Sequence, residues 1–238
     1  PCDIGEARVN ALKKASGKYI CFLDTDDLFS KGRLAKQVTF MEENELSFSY
    51  GSYAVIDRRG RVKKTRTYSE RVCEQLEEQL TRYTICMPTV MLSRRLFEED
   101  WCSLNPALMY SPDANLFLKI LANYPAGVMK DLLSYYRVHE NQLSKRTYAR
   151  VGVEHRITLD ELKLQFPWVV RSSSKTLDKA YAKASFYDAI SFINEDQYNK
   201  AEAIIRPVIN KSIYFLMLYV LISLRIPNFI ILRLLSRR

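Results

Sequence analysis

A short apolar run followed at once by three carboxylates constrains the fold of this chain more than any other feature. Residues 19–23 are apolar and rich in aromatic and β-branched side chains, and Asp24, Asp26 and Asp27 come directly after them. Such a run predicts a buried strand. Apolar residues then recur at helical spacing over 31–44, which predicts an amphipathic helix. The pattern therefore indicates an α/β fold with the acids at the carboxyl end of a strand, where open α/β sheets bind ligands.

Three hypotheses explain why negative charge is crowded here, since close carboxylates repel one another unless a cation or hydrogen-bond donors lie between them. The simplest is a cap on the following helix, made by Asp26, Asp27 or Ser30. The second is a phosphatase with Asp24 as nucleophile and Asp26 as acid, although Asp27 and Leu28 fit poorly to the small, hydroxyl-bearing turn that this chemistry needs. The third is an Asp-x-Asp pair that holds a divalent metal and a nucleotide diphosphate, because Mg²⁺ and Mn²⁺ prefer oxygen ligands.

The residues around the acids extend this pattern over 5–38, which read GEARVNALKKASGKYICFLDTDDLFSKGRLAKQV. This stretch resembles the nucleotide-sugar-binding half of family 2 glycosyltransferases, which has a Gly-x-Ala-Arg helix, an Ala-x-Gly turn, a Tyr-Ile-x-Phe-Leu-Asp strand and Asp-x-Asp-Asp. The matching residues are Gly5, Ala7 and Arg8, then 15–17, 19–24, and Asp26 with Asp27. Two residues depart from the family pattern: Val9 stands where the family usually has Asn, and Ala11 where Gly is common. These departures bear on the local contacts of the two residues more than on the resemblance as a whole.

Two downstream segments continue the resemblance as far as residue 146. Residues 110–128, YSPDANLFLKILANYPAGV, look like the family's acidic motif, whose Asp at the start of a helix acts as catalytic base; here that residue is Asp113. Residues 132–146, LLSYYRVHENQLSKR, look like the family's Tyr-Arg-x-His segment, which closes the donor half of the site and here contains Arg137 and His139. Without the resemblance, Asp113 reads more readily as a helix cap, and His139 as a residue with ordinary hydrogen bonds.

The resemblance implies a GT-A-like (Rossmann-like) mixed sheet and an inverting, metal-dependent glycosyltransferase. The donor would be a nucleotide sugar, with a UDP-sugar expected, and the acceptor a cell-surface polysaccharide or a glycolipid. The cofactor would be Mg²⁺ or Mn²⁺. The implied site residues are Asp26, Asp27 and His139 for the metal, Arg8, Asp24 and Arg137 for the nucleotide sugar, and Asp113 as catalytic base.

The chain lacks two motifs with which the family normally opens, a strand ending in Pro-x-Tyr-Asn and a second ending in Asp-Asp-Gly-Ser. These strands grip the nucleotide base and ribose, so we expect an N-terminally truncated catalytic domain over residues 1–146. Strand patterns then vanish, and residues 147–238 are expected to form an α-helical tail. The missing motifs keep a second function class open: a non-catalytic fragment or degenerate homologue that associates with a membrane or a partner.

The basic residues are concentrated in two places and favour an anionic membrane surface as partner. The chain has 36 Lys and Arg against 27 Asp and Glu, a net charge of +9, and six of the nine residues 58–66 are basic. Residues 206–238 contain six basic residues and no acid. Aromatic residues do not alternate with either cluster, as stacking platforms for nucleic acid would, so no nucleic-acid partner is expected.

An apolar segment, residues 212–224, lies within the basic C-terminal region. Spanning a bilayer takes about 20 apolar residues, and Arg225 and Pro227 interrupt this run well before that length. The segment is therefore expected to be a re-entrant or interfacial anchor that associates the chain peripherally with the inner face of the membrane, with a buried core helix as the alternative. Five cysteines, an odd number without metal-ligand spacing, indicate reduced thiols and a cytoplasmic location.

Overall fold

The computed structural model describes residues 4–139 and 148–236. The chain divides into two compact units, residues 1–142 and residues 143–238. The described part of the first unit combines strands with helices, whereas the described part of the second consists of helices. The two units therefore differ in secondary structure, and the change lies close to the change in sequence pattern near residue 146.

Seven strands and four α-helices make up the described part of the first unit. The helices are α1 Ile4–Lys14, α2 Arg33–Glu43, α3 Leu76–Thr81 and α4 Pro112–Asn123. The strands are β1 Tyr19–Cys21, β2 Leu28–Phe29, β3 Phe48–Ile56, β4 Val62–Arg66, β5 Arg71–Cys73, β6 Met91–Ser93 and β7 Ala126–Arg137.

These strands form one mixed sheet with the order β1-β6-β3-β7-β2, to which β4 is added beside β3 and β5 beside β7. β3 and β7 run parallel, from Ser49 beside Gly127 to Ile56 beside Arg137. The other strand pairs are antiparallel. The mixed sheet with its helices confirms the predicted α/β class. Because parallel strands end at the same edge, the residues that follow β3 and β7 meet there.

β1 lies at one end of the sheet and joins it through β6. The register places Tyr19 beside Ser93 and Cys21 beside Met91. On its other edge, β1 has no partner among the strands of the described residues. The backbone N–H and C=O groups on that edge are therefore available to pair with another strand.

The core of the first unit lies between β3 and α4. β3 is a central strand and is buried along almost its whole length, with Phe48 and Tyr50 fully buried. α4 contributes Leu116 and Phe117 to the same cluster, and the ring centroids of Phe48 and Phe117 are 5.5 Å apart. This packing holds the start of α4, and with it Asp113, in a fixed position relative to the sheet.

A buried arginine changes one predicted element. The sequence pattern predicts a strand over 88–93, but β6 covers only its second half, and Met87–Thr89 form a 3₁₀ helix. Pro88 has no N–H to give to a sheet ladder. Arg33, which is 1% exposed, donates hydrogen bonds to the carbonyl oxygens of Pro88 at 2.7 Å and Val90 at 2.8 Å. The buried guanidinium thus satisfies carbonyl groups that a continued strand would have paired.

Gly51 lies in β3 beside a register shift between β3 and β7. A Cβ at this position would lie 2.7 Å from the Met129 carbonyl oxygen and 2.8 Å from Leu133 Cδ1. The Met129 carbonyl belongs to the backbone of β7 and cannot move away without disturbing the sheet. We therefore expect Gly51→Ala to lower the free energy of unfolding by about 1–3 kcal/mol, measured by urea denaturation. Gly17→Ala is the control, since its Cβ would meet the Tyr19 carbonyl oxygen at 3.3 Å. An equal loss in both variants would contradict this explanation.

Helices account for residues 148–236 of the second unit, the part that the structure describes. They are α5 Tyr148–Gln165, α6 Pro167–Ser172, α7 Ser174–Asn194, α8 Tyr198–Ile205, α9 Ile213–Ser223 and α10 Asn228–Ser236, with a 3₁₀ helix at Arg206–Lys211. Side chains from α7 to α10 share one apolar cluster, which includes Ile190, Ile205, Leu218, Ile222 and Ile231. Within residues 4–139 and 148–236, no helix combines the length and the apolar character needed to cross a membrane.

Candidate active site

The three acids lie in a tight loop between β1 and β2, which we call the acid loop (residues 24–27). β1 ends two residues earlier than predicted, and the Asp27 N–H donates to the Asp24 carbonyl oxygen at 3.1 Å. None of the acids caps α2, because that helix follows Gly32 and has no side-chain cap. The Ser30 hydroxyl donates instead to the Leu132 carbonyl oxygen of β7. Capping of α2 therefore does not explain the crowded charge.

Arg8 of α1 joins the acid loop to the start of α4. Its Nη2 atom lies 3.3 Å from Asp24 Oδ1, and its Nη1 atom lies 3.5 Å from Asp113 Oδ1. The Arg8 side chain is 16% exposed, so its positive charge is only weakly screened by water. Two residues predicted to bind the nucleotide sugar and the predicted base thus lie together, although they come from three separate segments of the chain.

Asp113 is the second residue of α4. The cap position belongs to Ser111, which makes no side-chain cap bond, so Asp113 is not the simple cap of this helix. Burial raises the pKa of the Asp113 carboxyl, while the Arg8 charge and the backbone N–H groups at the start of α4 oppose the rise. A carboxylate with a raised pKa accepts a proton more readily, which suits a general base.

Asp27 is the most buried of the three acids, and 4% of the residue is exposed. Its Oδ1 atom accepts a hydrogen bond from the Arg137 backbone N–H at 2.8 Å, which ties the acid loop to the end of β7. Burial raises the pKa of Asp27 to about 6; the Arg137 N–H opposes this rise, and the charges of Asp26 and Asp24 add to it. The Oδ2 atom is buried and has no hydrogen-bond partner among the described residues. A bound cation or donor would satisfy it.

Arg137 and His139 complete the site from the end of β7. Arg137 donates from Nε to the Asp26 carbonyl oxygen at 2.7 Å and from Nη1 to the Asp57 carbonyl oxygen at 2.9 Å. It therefore holds the acid loop and the residue after β3 in place. His139 Nε2 lies 3.0 Å from Asp26 Oδ2. A direct contact between Arg137 and a nucleotide sugar stays a prediction.

The acid loop has ligands of the right chemistry for a divalent cation. Asp26 and His139 offer a carboxylate oxygen and an imidazole nitrogen side by side, and Asp27 Oδ2 is a buried oxygen without a partner among the described residues. In the described ranges, no three His, Cys, Asp or Glu side chains converge in a geometry that holds a metal by themselves. The residues therefore fit a metal that takes its remaining ligands from substrate phosphates, as Mg²⁺ usually does.

The charges of the acids also act on two further residues, Tyr83 and Cys86, which show no functional pattern in the sequence. The Tyr83 hydroxyl is buried without a hydrogen-bond partner among the described residues, and burial, followed by the charge of Asp113, raises its pKa. Burial, followed by the charges of Asp27 and Asp113, raises the pKa of Cys86. Both are single residues in the connection after α3, so only the fold reveals their position.

Sequence comparisons connect this site with known proteins. Residues 3–101 match the model of glycosyl transferase family 2. An uncharacterized glycosyltransferase of Rickettsia bellii is 37% identical over 127 residues, which cover 53% of this chain and 18% of that protein. The Escherichia coli UDP-Glc:alpha-D-GlcNAc-diphosphoundecaprenol beta-1,3-glucosyltransferase WfgD is 33% identical over 147 residues, which cover 60% of this chain and 54% of that protein. The chain thus spans no more than about half of either relative.

A solved structure shows the same fold. The crystal structure of S. aureus TarS 1–349 in complex with UDP-GlcNAc superposes with a TM-score of 0.61 and 16% sequence identity, over 86% of this chain and 61% of that one. This likeness confirms the predicted GT-A-like mixed sheet followed by a mostly helical region. The family model over residues 3–101, the curated relatives and the fold thus confirm the predicted resemblance of this chain to glycosyl transferase family 2.

Proposed function

We propose that this chain carries the donor-binding and catalytic residues of an inverting glycosyltransferase, which moves a sugar from a nucleotide-sugar donor to a cell-surface polysaccharide or glycolipid. One observation carries the proposal: Arg8 lies between Asp24 of the acid loop and Asp113 of α4. A residue expected to bind the donor and the residue expected to act as base are thereby joined in one network. A helix cap or scattered surface acids would not need such a contact.

In this proposal Asp113 is the general base. It accepts the proton of the acceptor hydroxyl as that oxygen attacks the anomeric carbon, on the face opposite the leaving nucleotide diphosphate. The bond to the acceptor oxygen forms while the bond to the diphosphate breaks, so a single displacement inverts the configuration at that carbon. The raised pKa of Asp113 supports this role.

Mg²⁺ or Mn²⁺ is the proposed cofactor, held by Asp26 and His139 with Asp27 as a third candidate ligand. When bound, such a cation neutralises negative charge on the diphosphate. The buried Oδ2 of Asp27 supports the proposal, as do the hydrogen bonds by which Arg137 holds Asp26 and Asp27 in one loop. Arg8 and Asp24 are then the proposed contacts to the nucleotide sugar.

A UDP-sugar is the proposed donor, and a glycan or lipid-linked glycan the proposed acceptor. The name of WfgD specifies UDP-Glc and a diphosphoundecaprenol-linked acceptor, and the TarS structure contains UDP-GlcNAc. These are properties of the two other proteins. They make uridine nucleotides and lipid-linked glycans the first compounds to test on this chain.

The proposed function is tested by incubating the purified chain with Mn²⁺, a labelled UDP-sugar and a bacterial glycolipid extract, and by measuring label transfer and UDP release. Transfer that requires both donor and acceptor would support the proposal. If a cooperatively folded chain binds no UDP and transfers no label, the proposal is wrong and a non-catalytic, membrane- or partner-associating role replaces it.

We propose also that the chain associates peripherally with the anionic inner face of a membrane, on the cytoplasmic side. Ile213, Leu224 and Phe229 in the region of α9 and α10 are 62%, 66% and 66% exposed. Basic residues, among them Arg225 and Arg233, lie in the same region without any acid. Apolar side chains that enter the lipid interface and cations that face anionic headgroups both favour such binding.

The variant Leu224→Ser/Phe229→Ser should bind phosphatidylglycerol vesicles about tenfold or more weakly than the parent, because burying a large apolar side chain is worth about 1.5–3 kcal/mol. Co-sedimentation over a range of lipid concentrations measures the affinity. Leu164→Ser is the matched control, since Leu164 is 81% exposed on α5, outside this region. Equal affinity of the parent and both variants for phosphatidylglycerol vesicles would contradict the proposal. Equal affinity of the parent for phosphatidylglycerol and neutral phosphatidylcholine vesicles would also contradict it.

A further inference from the structure

Four cations surround a cleft in the first unit, outside the acid loop. The cleft has a volume of about 430 Å³, within the usual range for ligand sites. Lys64 and Arg66 come from β4, Arg71 from β5, and Arg82 from the residue after α3. Glu78 is the one acid among the described residues that line it. We call this cavity the basic cleft.

Most of the positive charge in the basic cleft is uncompensated. Arg71 Nη2 lies 2.8 Å from Glu78 Oε2, so this pair is neutral overall. Across residues 4–139 and 148–236, no ion pair involves Lys64, Arg66 or Arg82. The cleft therefore has a net positive charge that a bound anion would neutralise.

The β3–β4 hairpin divides its basic residues between two environments. Arg61 and Lys63 lie 2.8 Å and 3.4 Å from the Asp57 carboxylate, so their charges are compensated near the turn. Lys64 and Arg66 are alternate residues of β4 and share one face of that strand. This face lines the cleft. The basic cluster of residues 58–66 is therefore divided into cations near the turn, which are paired with Asp57, and cations in the cleft, which have no ion-pair partner among the described residues.

Tyr68 holds one wall of the basic cleft in a fixed shape. Its backbone N–H donates to Ser52 Oγ at 3.0 Å, and its hydroxyl donates to the Thr84 carbonyl oxygen at 2.8 Å. Its ring packs edge-on against Tyr50, and the Arg66 guanidinium carbon lies 5.9 Å from the ring centre. A pre-ordered wall reduces the conformational entropy that a ligand must remove on binding.

The chemistry of the lining suits a ligand that carries both phosphate and sugar. Guanidinium and ammonium groups donate charge-assisted hydrogen bonds to phosphate oxygens, and the hydroxyls of Thr67 and Ser69 can bond to sugar hydroxyls. β4, which carries Lys64 and Arg66, pairs with β3, and Asp57, the residue after β3, accepts a hydrogen bond on its carbonyl oxygen from Arg137 Nη1 of the candidate active site at 2.9 Å. The strand that lines the basic cleft is therefore the sheet neighbour of the strand that leads into that site.

We propose that the basic cleft binds phosphate groups of the acceptor through Lys64, Arg66 and Arg82, and so selects a phosphate-bearing glycan as acceptor. The identification of the ligand as the acceptor rests on the proposed glycosyltransferase function. Phosphate binding by the basic cleft does not depend on that function. The phosphate can lie within the glycan chain or in a diphosphate that links the glycan to a lipid. The same hydrogen-bond donors recognise both.

Calorimetric titration with two soluble probes tests the proposal and separates these two sources. A short glycerol-phosphate oligomer represents phosphate within a chain, and isopentenyl diphosphate represents a lipid diphosphate. UDP and Mn²⁺ are present in excess, so that a functional donor site is occupied. The probe with the higher affinity identifies the source, and its affinity should fall as salt rises, since salt screens exposed charges.

The variant Arg66→Ala/Arg82→Ala should bind the probe with the higher affinity about tenfold or more weakly than the parent, because each substitution removes charge-assisted hydrogen bonds to phosphate. Arg66→Lys/Arg82→Lys keeps both charges and should recover much of the affinity. Arg59→Ala is the matched control, since it removes a cation of the same hairpin that does not line the cleft. Its affinity should equal that of the parent.

Three results would overturn the proposal. The first is equal affinity in the parent and the Arg66→Ala/Arg82→Ala variant. The second is an equal loss in Arg59→Ala, which would indicate general attraction to a basic surface. The third is binding of phosphatidylglycerol vesicles through these residues without binding of either probe. Failure of the proposed function gives a different result, namely no UDP binding and no transfer while the cleft still binds a probe through Arg66 and Arg82.

Discussion

Replacing Asp113 by Asn should lower sugar transfer by about 10²- to 10⁴-fold, the usual contribution of a general base, and should leave UDP affinity close to that of the parent. Asn keeps the size of the side chain but cannot take a proton from the acceptor hydroxyl. Transfer of label from a UDP-sugar gives the rate, and calorimetry gives the UDP affinity. Asp100→Asn is the control, because Asp100 is an exposed carboxylate outside the site.

Two outcomes would contradict the role of Asp113 as base. A parent-like rate in Asp113→Asn would show that another group takes the proton. Equal losses of UDP affinity and transfer would place Asp113 in the donor site, since a group that acts only during the reaction does not change ground-state binding.

The pH profile gives a second readout of the same residue. If Asp113 is the base, as proposed, transfer needs its ionised carboxylate, so kcat/KM should fall as the pH drops through its pKa. Burial raises that pKa and the Arg8 charge lowers it. Arg8→Met removes the opposing charge, so the acidic limb should move to higher pH. Lys36→Met, which removes the cation 2.6 Å from Asp131 elsewhere in the unit, should leave the limb in place.

The Asp26→Ala variant should lose Mn²⁺-dependent UDP binding by about 100-fold or more, because a metal on a diphosphate supplies several kcal/mol of charge stabilisation. Asp26 Oδ2 lies 3.0 Å from His139 Nε2, so the substitution removes one of the two adjacent proposed ligands. Calorimetric titration of UDP with and without Mn²⁺ measures the effect. Asp131→Ala is the matched control, since Asp131 pairs with Lys36 away from the acid loop.

Metal-independent UDP binding, equal in the parent and in Asp26→Ala, would contradict the proposed metal role of the acid loop. A parent that binds UDP only with Mn²⁺ would support it, provided that Asp26→Ala unfolds at the same urea concentration as the parent. His139→Ala should then show a weaker form of the same loss, because the carboxylate ligand remains.

Local sequence pattern was enough to predict the strand and the loop that carry the acids. The strand and the acid loop are both specified by neighbouring residues within 19–27, so a local pattern of apolar residues followed by acids is sufficient to predict them. The boundaries were less well predicted: β1 is shorter than its apolar run, and the predicted strand over 88–93 is half 3₁₀ helix. In the second case the buried guanidinium of Arg33, far away in sequence, competes for the same carbonyl groups.

By itself, the sequence determined the α/β class, the change to helix near residue 146, and the residue types available for the chemistry. Only the tertiary structure decided which of them lie together: Arg8 between Asp24 and Asp113, and Asp27 buried against the end of β7. It also decided which basic residues of 58–66 are compensated. The physical reason is that burial and ion pairing depend on distances between segments remote in the chain, whereas helix and strand patterns depend on neighbours.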